Sequence, residues 1–168
     1  LPKHFFRIGI IWQGSKSKAD IGRSFSLKYY EQISKIEDVK LISLQKNFGS
    51  EQVKKYPNVK VYEFPEDFDA GGQAFLDTAA IMKNLDLIIT SDTSTAHLAG
   101  SLGCRTWILL SYAPDWRWFL KKKKSPWYKS VTLYRQDAKG DWTTVFDKVK
   151  GDLIKLIKDK RKNELIIL

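Results

Sequence analysis

Ser91-Asp92-Thr93-Ser94-Thr95-Ala96-His97-Leu98-Ala99-Gly100-Ser101-Leu102-Gly103 lies between two apolar segments and sets the architecture of the chain. It follows Leu85-Asp86-Leu87-Ile88-Ile89-Thr90 and precedes Arg105-Thr106-Trp107-Ile108-Leu109-Leu110, two apolar runs of the kind that form fully buried strands. Between them polar residues come first and small ones after. Asp92, Thr93 and Ser94 are all helix-capping types. Ala96, Ala99, Gly100 and Ser101 let a short helix lie close to a sheet, and Gly103 stands where a helix-ending glycine belongs. The stretch reads as strand, tight turn, helix, strand.

That arrangement aims free backbone N–H groups and the positive end of a helix dipole past the end of a strand, which suits phosphate or another anion. Thr93, Ser94 and Thr95 add hydroxyls, and His97 adds an imidazole on the side of Thr93. Read in isolation, the same residues also fit a plain structural role, with Asp92 a cap and His97 a packing residue.

Outward from this centre the alternation continues. Phe5 to Trp12 is a first buried strand, followed by the polar, basic loop Gln13 to Ser24. Gly14 in that loop would let the backbone approach a ligand, and Lys16, Lys18 and Arg23 supply charge. Neither a Walker A loop nor a GxGxxG fingerprint is present. Ser26 caps a helix with apolar positions at Leu27, Tyr30, Ile33 and Ile36. Val39 to Leu44 is a second strand, with Gln45 and Lys46 just past its end, where ligands of open parallel sheets bind. A short helix is expected within Gly49 to Tyr56, and an edge-type strand over Val59 to Phe64. Phe75 or Asp77 opens a helix expected to bury Leu76, Ala80, Ile81 and Leu85. After the central stretch, Val131 to Tyr134 is a last strand. Asp141 caps a final helix whose inner face is Trp142, Val145, Phe146, Val149, Leu153, Leu156 and Ile157. Lys158 to Lys162 read as its solvated end, and Glu164 to Leu168 as a short apolar tail.

Such alternation predicts one α/β domain, a Rossmann-like parallel sheet with helices on both faces. With 168 residues, 43% hydrophobic and 29% charged, the chain is of ordinary globular composition and long enough for a core. Its net charge of +10 favours anionic partners. A single cysteine, Cys104, excludes an internal disulfide and a cysteine-rich metal site. It suggests a reducing, cytoplasmic setting. No apolar run reaches transmembrane length. The start, Leu1-Pro2-Lys3-His4, reads as the edge of a domain excised from a longer chain.

The segment Tyr112-Ala113-Pro114-Asp115-Trp116-Arg117-Trp118-Phe119-Leu120, the four lysines Lys121 to Lys124 and Ser125-Pro126-Trp127-Tyr128 are the oddest composition in the chain. They fit an aromatic ligand or interface surface, a membrane-surface or nucleic-acid patch, or a loop closing over one end of the sheet with tryptophans beneath.

Several local patterns coincide in order and spacing: Ile10-Ile11-Trp12-Gln13-Gly14, Arg23-Ser24, Ser43-Leu44-Gln45-Lys46, Asp92-Thr93-Ser94 with His97-Leu98-Ala99-Gly100, Ala113-Pro114-Asp115-Trp116-Arg117-Trp118, Ser125-Pro126-Trp127-Tyr128, Tyr134-Arg135-Gln136 and Gly140-Asp141-Trp142. Together they resemble the glycosyltransferase-like C-terminal domain of bacterial tetratricopeptide-repeat proteins. That domain is similar to the C-terminal half of ADP-heptose:lipopolysaccharide heptosyltransferases, and more distantly to that of O-linked N-acetylglucosamine transferases. The resemblance runs from about Ile8 to about Leu156.

What it implies is the C-terminal half of a GT-B fold, binding a nucleotide-diphosphate sugar as substrate. No metal or other cofactor is expected. The acceptor and the usual catalytic base would belong to an N-terminal half-domain, with tetratricopeptide repeats as further partners in the parent chain, so this piece alone would be inactive. Gly14, Lys16, Arg23, Ser24, Gln45, Lys46, Asp92, Thr93, Ser94, Thr95 and His97 are the implied donor- and phosphate-binding residues, with His97 a diphosphate stabiliser. The family usually has Gly-Leu where this chain has Ser94-Thr95, and an acidic residue near Gln45-Lys46. The alternative is a non-catalytic module that keeps the fold as a scaffold or interaction domain.

Overall fold

The computed structural model describes residues 5–15, 22–72 and 74–166. The elements are β1 (Phe6–Ile11), a 3-10 turn (Leu27–Tyr30) running into α1 (Glu31–Ser34), β2 (Val39–Ser43), α2 (Gln52–Lys55), β3 (Val61–Tyr62), α3 (Leu76–Met82), β4 (Leu87–Ser91), α4 (Ser94–Ser101), β5 (Thr106–Leu110), β6 (Val131–Arg135) and α5 (Trp142–Ile166). The strands form one six-stranded sheet in the order β3-β2-β1-β4-β5-β6, every pair parallel. This is the Rossmann-like α/β architecture. Strand order reverses between β1 and β4, and a crevice opens outside the carboxyl ends of strands at such a switch point.

Both faces are covered, which is why the central strands are apolar throughout instead of alternating. On one face Ile8, Ile10, Leu87, Ile89 and Leu109 meet Tyr30 and Ile33 and the α5 ridge Trp142, Val145, Phe146, Val149, Leu153 and Ile157. On the other, Ile11, Leu44 and Ile88 meet Met82 and Ala99, while Ile108, Leu110, Val131 and Leu133 meet Ala96 and Trp118. Asp141 caps α5 by accepting from Thr144 N–H at 3.0 Å. Gly103 ends the α4 turn at φ +70°, a conformation that costs glycine nothing sterically.

Three expectations change in the structure. The strand expected over Val59 to Phe64 shrinks to Val61–Tyr62. It pairs with β2 alone at the sheet edge, between Pro57 and Pro65, which limit ladder donors. Helix α3 is rotated from the expected face: Thr78 and Met82 are buried, Ile81 and Leu85 half-buried, and Leu76 and Ala80 exposed. Asp69 explains the rotation. Its carboxylate accepts from the Asp77 N–H at 2.9 Å and from the Thr78 hydroxyl, fixing which face of the first turn points inward. The end of α5 over Lys158 to Lys162 is exposed as expected except at half-buried Lys160, but it is also anchored: Lys160 Nζ reaches Asp86 Oδ1 at 2.7 Å and Arg161 reaches Asp38 at 2.7 Å. The presumed apolar tail continues the helix through Ile166. Among the described residues, no helix is long and apolar enough to cross a membrane.

Candidate functional site

The loops after β1, β2, β4 and β5 meet around a cleft of about 650 Å³ at the switch point. Helix α4 begins in its wall because its cap, Thr93, is extended (φ −137°, ψ 171°) and makes no side-chain cap bond. The first-turn N–H groups, which have no intrahelical carbonyl to meet, therefore lie beside the hydroxyls of Thr93, Ser94 and Thr95 at the cleft. The Ala96 N–H closes back on Thr93 O at 3.0 Å.

His97, in the same turn, also lines the cleft. Its ring stacks on Trp118 (centroids 5.1 Å apart, planes at 24°), and its Nδ1 lies 3.1 Å from the Tyr128 hydroxyl. Tyr128 in turn presses on Gly100, where a Cβ would stand only 2.6 Å from the tyrosine ring. Small residues of α4 thus accommodate the aromatic chain that follows β5 as well as the sheet.

Asp92 turns inward instead of capping. It is 6% exposed, and its Oδ2 has no hydrogen-bond partner among the described residues. The Trp118 indole N–H faces this carboxyl, but the pair does not close into a hydrogen bond of good geometry. Burial pushes the Asp92 pKa up, with Trp118, Arg23 and His97 opposing and Asp115 adding to the rise. A buried oxygen left in this state at a cleft wall is an acceptor awaiting a donor.

The remaining expected residues fall out differently. Gly14, Arg23, Gln45 and Lys46 line the cleft with Asp92 to Thr95 and His97. Ser24 stands behind the first loop, its Oγ accepting from the Gly14 N–H at 3.0 Å. Lys16, and the alternate Lys18, lie outside the described residues. Gln45 is committed to the chain itself. Its Oε1 accepts from Trp12 N–H at 3.2 Å and Gln13 N–H at 3.1 Å, and its Nε2 donates to Gln13 O at 2.9 Å and Phe48 O at 2.7 Å. The amide laces the loops after β1 and β2 together. Lys46 Nζ donates to Phe68 O.

Three charged residues that line the cleft were not among the expected site residues: Asp69, Asp115 and Arg117. Asp69 belongs to Asp67-Phe68-Asp69, but its oxygens hold the start of α3 as described above. Asp115 and Arg117 form a close pair, with Arg117 donating to Asp115 Oδ1 from Nη1 at 2.8 Å and from its N–H at 3.0 Å. Burial raises the Asp115 pKa, but these bonds outweigh it and hold the carboxyl below its ordinary value. The Asp-x-Arg spacing at a turn was the available signal. Among the described residues, no group of three or more His, Cys, Asp or Glu is placed to hold a metal ion.

No family model matches the chain. It is 27% identical over 147 residues to Protein FlbA of Caulobacter vibrioides, an alignment covering 85% of this chain and 24% of that protein. Its fold is similar to that of E. coli heptosyltransferase WaaC. Against the structure with ADP-2-deoxy-2-fluoro heptose the TM-score is 0.58 at 9% identity, covering 96% of this chain and 45% of that one. Against the structure with ADP it is 0.56 at 9% identity, covering 95% and 46%. The chain thus spans about a quarter of the curated relative and under half of the solved structures, and it shares with the latter a glycosyltransferase-type Rossmann-like fold.

Proposed function

We propose that this chain is the donor-binding half of a glycosyltransferase, holding a nucleotide-diphosphate sugar in the switch-point cleft. The observation that carries this reading is the convergence of the α4 start, with its N–H groups and three hydroxyls, with Arg23, Lys46 and Arg117 around one cleft. The similarity in fold to a heptosyltransferase solved with ADP and with an ADP-sugar analogue supports it.

When a glycosidic bond to a diphosphate breaks, negative charge grows on the leaving oxygens. Donors already fixed where that charge develops stabilise the transition state without reorganising. In this reading the α4 N–H groups and the Thr93 to Thr95 hydroxyls bind the diphosphate, and Arg23 neutralises it. His97, held by Trp118 and Tyr128, keeps Nε2 as the ring nitrogen available to it. The buried Asp92 Oδ2 accepts from a donor hydroxyl of the ligand. The acceptor, the catalytic base and any tetratricopeptide repeats lie in other parts of a longer protein, and this half alone transfers no sugar.

The second reading, a non-catalytic scaffold with this fold, is favoured by one observation. Asp92 places in the cleft wall a carboxyl whose Oδ2 has no hydrogen-bond partner among the described residues, and unless protonated or given a donor it would repel a diphosphate. Calorimetric titration with ADP-, GDP- and UDP-sugars separates the two. Saturable binding that is lost in Arg23→Ala and in Thr93→Ala is expected. If none of these nucleotides binds, the scaffold reading replaces the first.

A further inference from the structure

The chain between β5 and β6 builds a second surface along the outer edge of the sheet. Trp116 and Leu120 are each 70% exposed, Trp127 is 55% exposed and Phe119 is 45% exposed. Lys121, Lys122, Lys123 and Lys124 follow at once, all exposed. We infer that this edge docks on an anionic lipid bilayer surface, with the apolar side chains entering the headgroup boundary and the lysines meeting lipid charge.

The apolar tip is displayed by a braced turn. Phe119 adopts φ +53°, reversing the chain direction after the Trp116–Trp118 3-10 turn. The Arg135 guanidinium, from the end of β6, donates to the carbonyls of Trp118, Phe119 and Lys122 and ties that reversal to the sheet. Trp127 Nε1 donates to Arg117 O at 2.8 Å and joins the two arms of the segment. Beyond the turn the lysine run lies antiparallel along β6, with Leu133 N–H donating to Lys123 O at 2.8 Å and Lys124 bridging to Thr132. The run therefore covers the outer edge of β6 with charge, which prevents strand pairing there.

The charge is uncommitted. Among the described residues, Lys121, Lys122 and Lys123 have no carboxylate partner, and Lys124 Nζ donates only to the Thr132 hydroxyl at 2.8 Å. Lys148 and Lys155 of α5 line the same groove but are paired there, with Asp137 at 2.6 Å and Asp152 at 3.4 Å, so the charge without a carboxylate partner among the described residues is that of Lys121 to Lys123. Exposed tryptophan, phenylalanine and leucine beside clustered lysine is the composition of a bilayer interface. A stacking platform for single-stranded nucleic acid would need free indole faces. Here the Arg117 guanidinium occupies one face of the Trp116 ring at 4.9 Å, Trp127 is held by its Nε1 to Arg117 O, and Leu120 has no face to stack. The inference does not depend on what the switch-point cleft binds.

Vesicle flotation of the 168-residue chain tests it. The chain is expected to float with phosphatidylcholine vesicles containing roughly a third phosphatidylserine, to stay behind with phosphatidylcholine alone, and to release at high salt. Substituting glutamine at Lys121, Lys122 and Lys123 together should weaken binding on the order of 100-fold. Leu120→Ser should weaken it roughly 10-fold and keep its salt dependence. Brominated lipid chains should quench tryptophan fluorescence, less so in Trp116→Phe. Circular dichroism checks that each variant is folded; all five positions are exposed, so folding should persist. Absence of flotation with the anionic vesicles, or equal flotation of the lysine variant, overturns the inference. So does displacement from vesicles by an RNA oligonucleotide that binds more tightly, which would make the edge a nucleic-acid surface.

Discussion

Replacing Gly100 by alanine tests the packing that holds His97 at the cleft. The added Cβ would stand 2.6, 2.7 and 3.0 Å from Cγ, Cδ2 and Cδ1 of Tyr128, distances that real side chains do not tolerate. A tyrosine ring is rigid and cannot fold away, so it must shift bodily. The shift breaks the 3.1 Å contact between its hydroxyl and His97 Nδ1 and disturbs the imidazole stacked on Trp118. Overpacking costs about 1–3 kcal/mol and the lost hydrogen bond about 1 kcal/mol. Alanine returns about 1 kcal/mol of helix propensity. The net loss is about 2 kcal/mol, which for a domain of this size lowers Tm by roughly 4–8 °C. Thermal melts of a double-mutant cycle read this directly. In a Tyr128→Ala background the obstruction is gone, so Gly100→Ala should become neutral or slightly stabilising. A Gly100→Ala variant as stable as the parent, or one equally destabilised in both backgrounds, refutes the reasoning.

Gln45→Ala should cost about 2–4 kcal/mol, because it strands the N–H groups of Trp12 and Gln13 and two carbonyls at once; denaturant melts check it, and weaker nucleotide binding at unchanged stability would make Gln45 a ligand contact instead. At the opposite end of the sheet, burial raises the Asp86 pKa, but bonds from Lys160 and from the Arg7 N–H outweigh it and hold the carboxyl below its ordinary value. Its contribution is therefore present above the ordinary aspartate value of about 4 and lost as pH falls through the folded one. Asp86→Asn should cost about 1–2 kcal/mol at neutral pH and little in acid, so a penalty unchanged between the two would contradict the assignment. For Asp92 the sign is reversed: burial raises its pKa, so its contribution is present at low pH and lost as pH rises through the folded value. Asp92→Asn should therefore gain stability relative to the parent as pH is raised from acid to neutral, and a parallel pH profile for the two proteins would count against a buried, unpartnered carboxyl.

The strands were legible because a sheet covered on both faces needs unbroken apolar runs, and Leu87 to Thr90 and Trp107 to Leu110 are such runs. The α5 ridge was legible from its 3.6-residue period and the Asp141 cap. Local pattern failed where a distant group decides orientation. Asp69, seven residues before Leu76, selects the inward face of α3, and nothing in the helix itself records that choice. Gln45 lines the cleft past β2 as its position suggests, but the sequence gives no sign that its amide also bonds the backbone of the neighbouring loops. Asp92 carries a capping residue's name and spacing, yet it lies buried facing Trp118, which comes from the chain after β5. The share of Asp115 and Arg117 in the cleft follows from β5 lying beside β4, which is a property of strand order.

The central claim is that the switch-point cleft seats a nucleotide diphosphate. The most direct measurement is an amide NMR titration of the labelled chain with ADP-, GDP- and UDP-sugars. The account predicts saturable shifts for one of them, concentrated at Gly14 and at Thr93 to His97 and absent from the groove around Lys129 and Thr132 at the far end of the sheet. Shifts that do not saturate with any nucleotide, or that centre on that far groove, would contradict it.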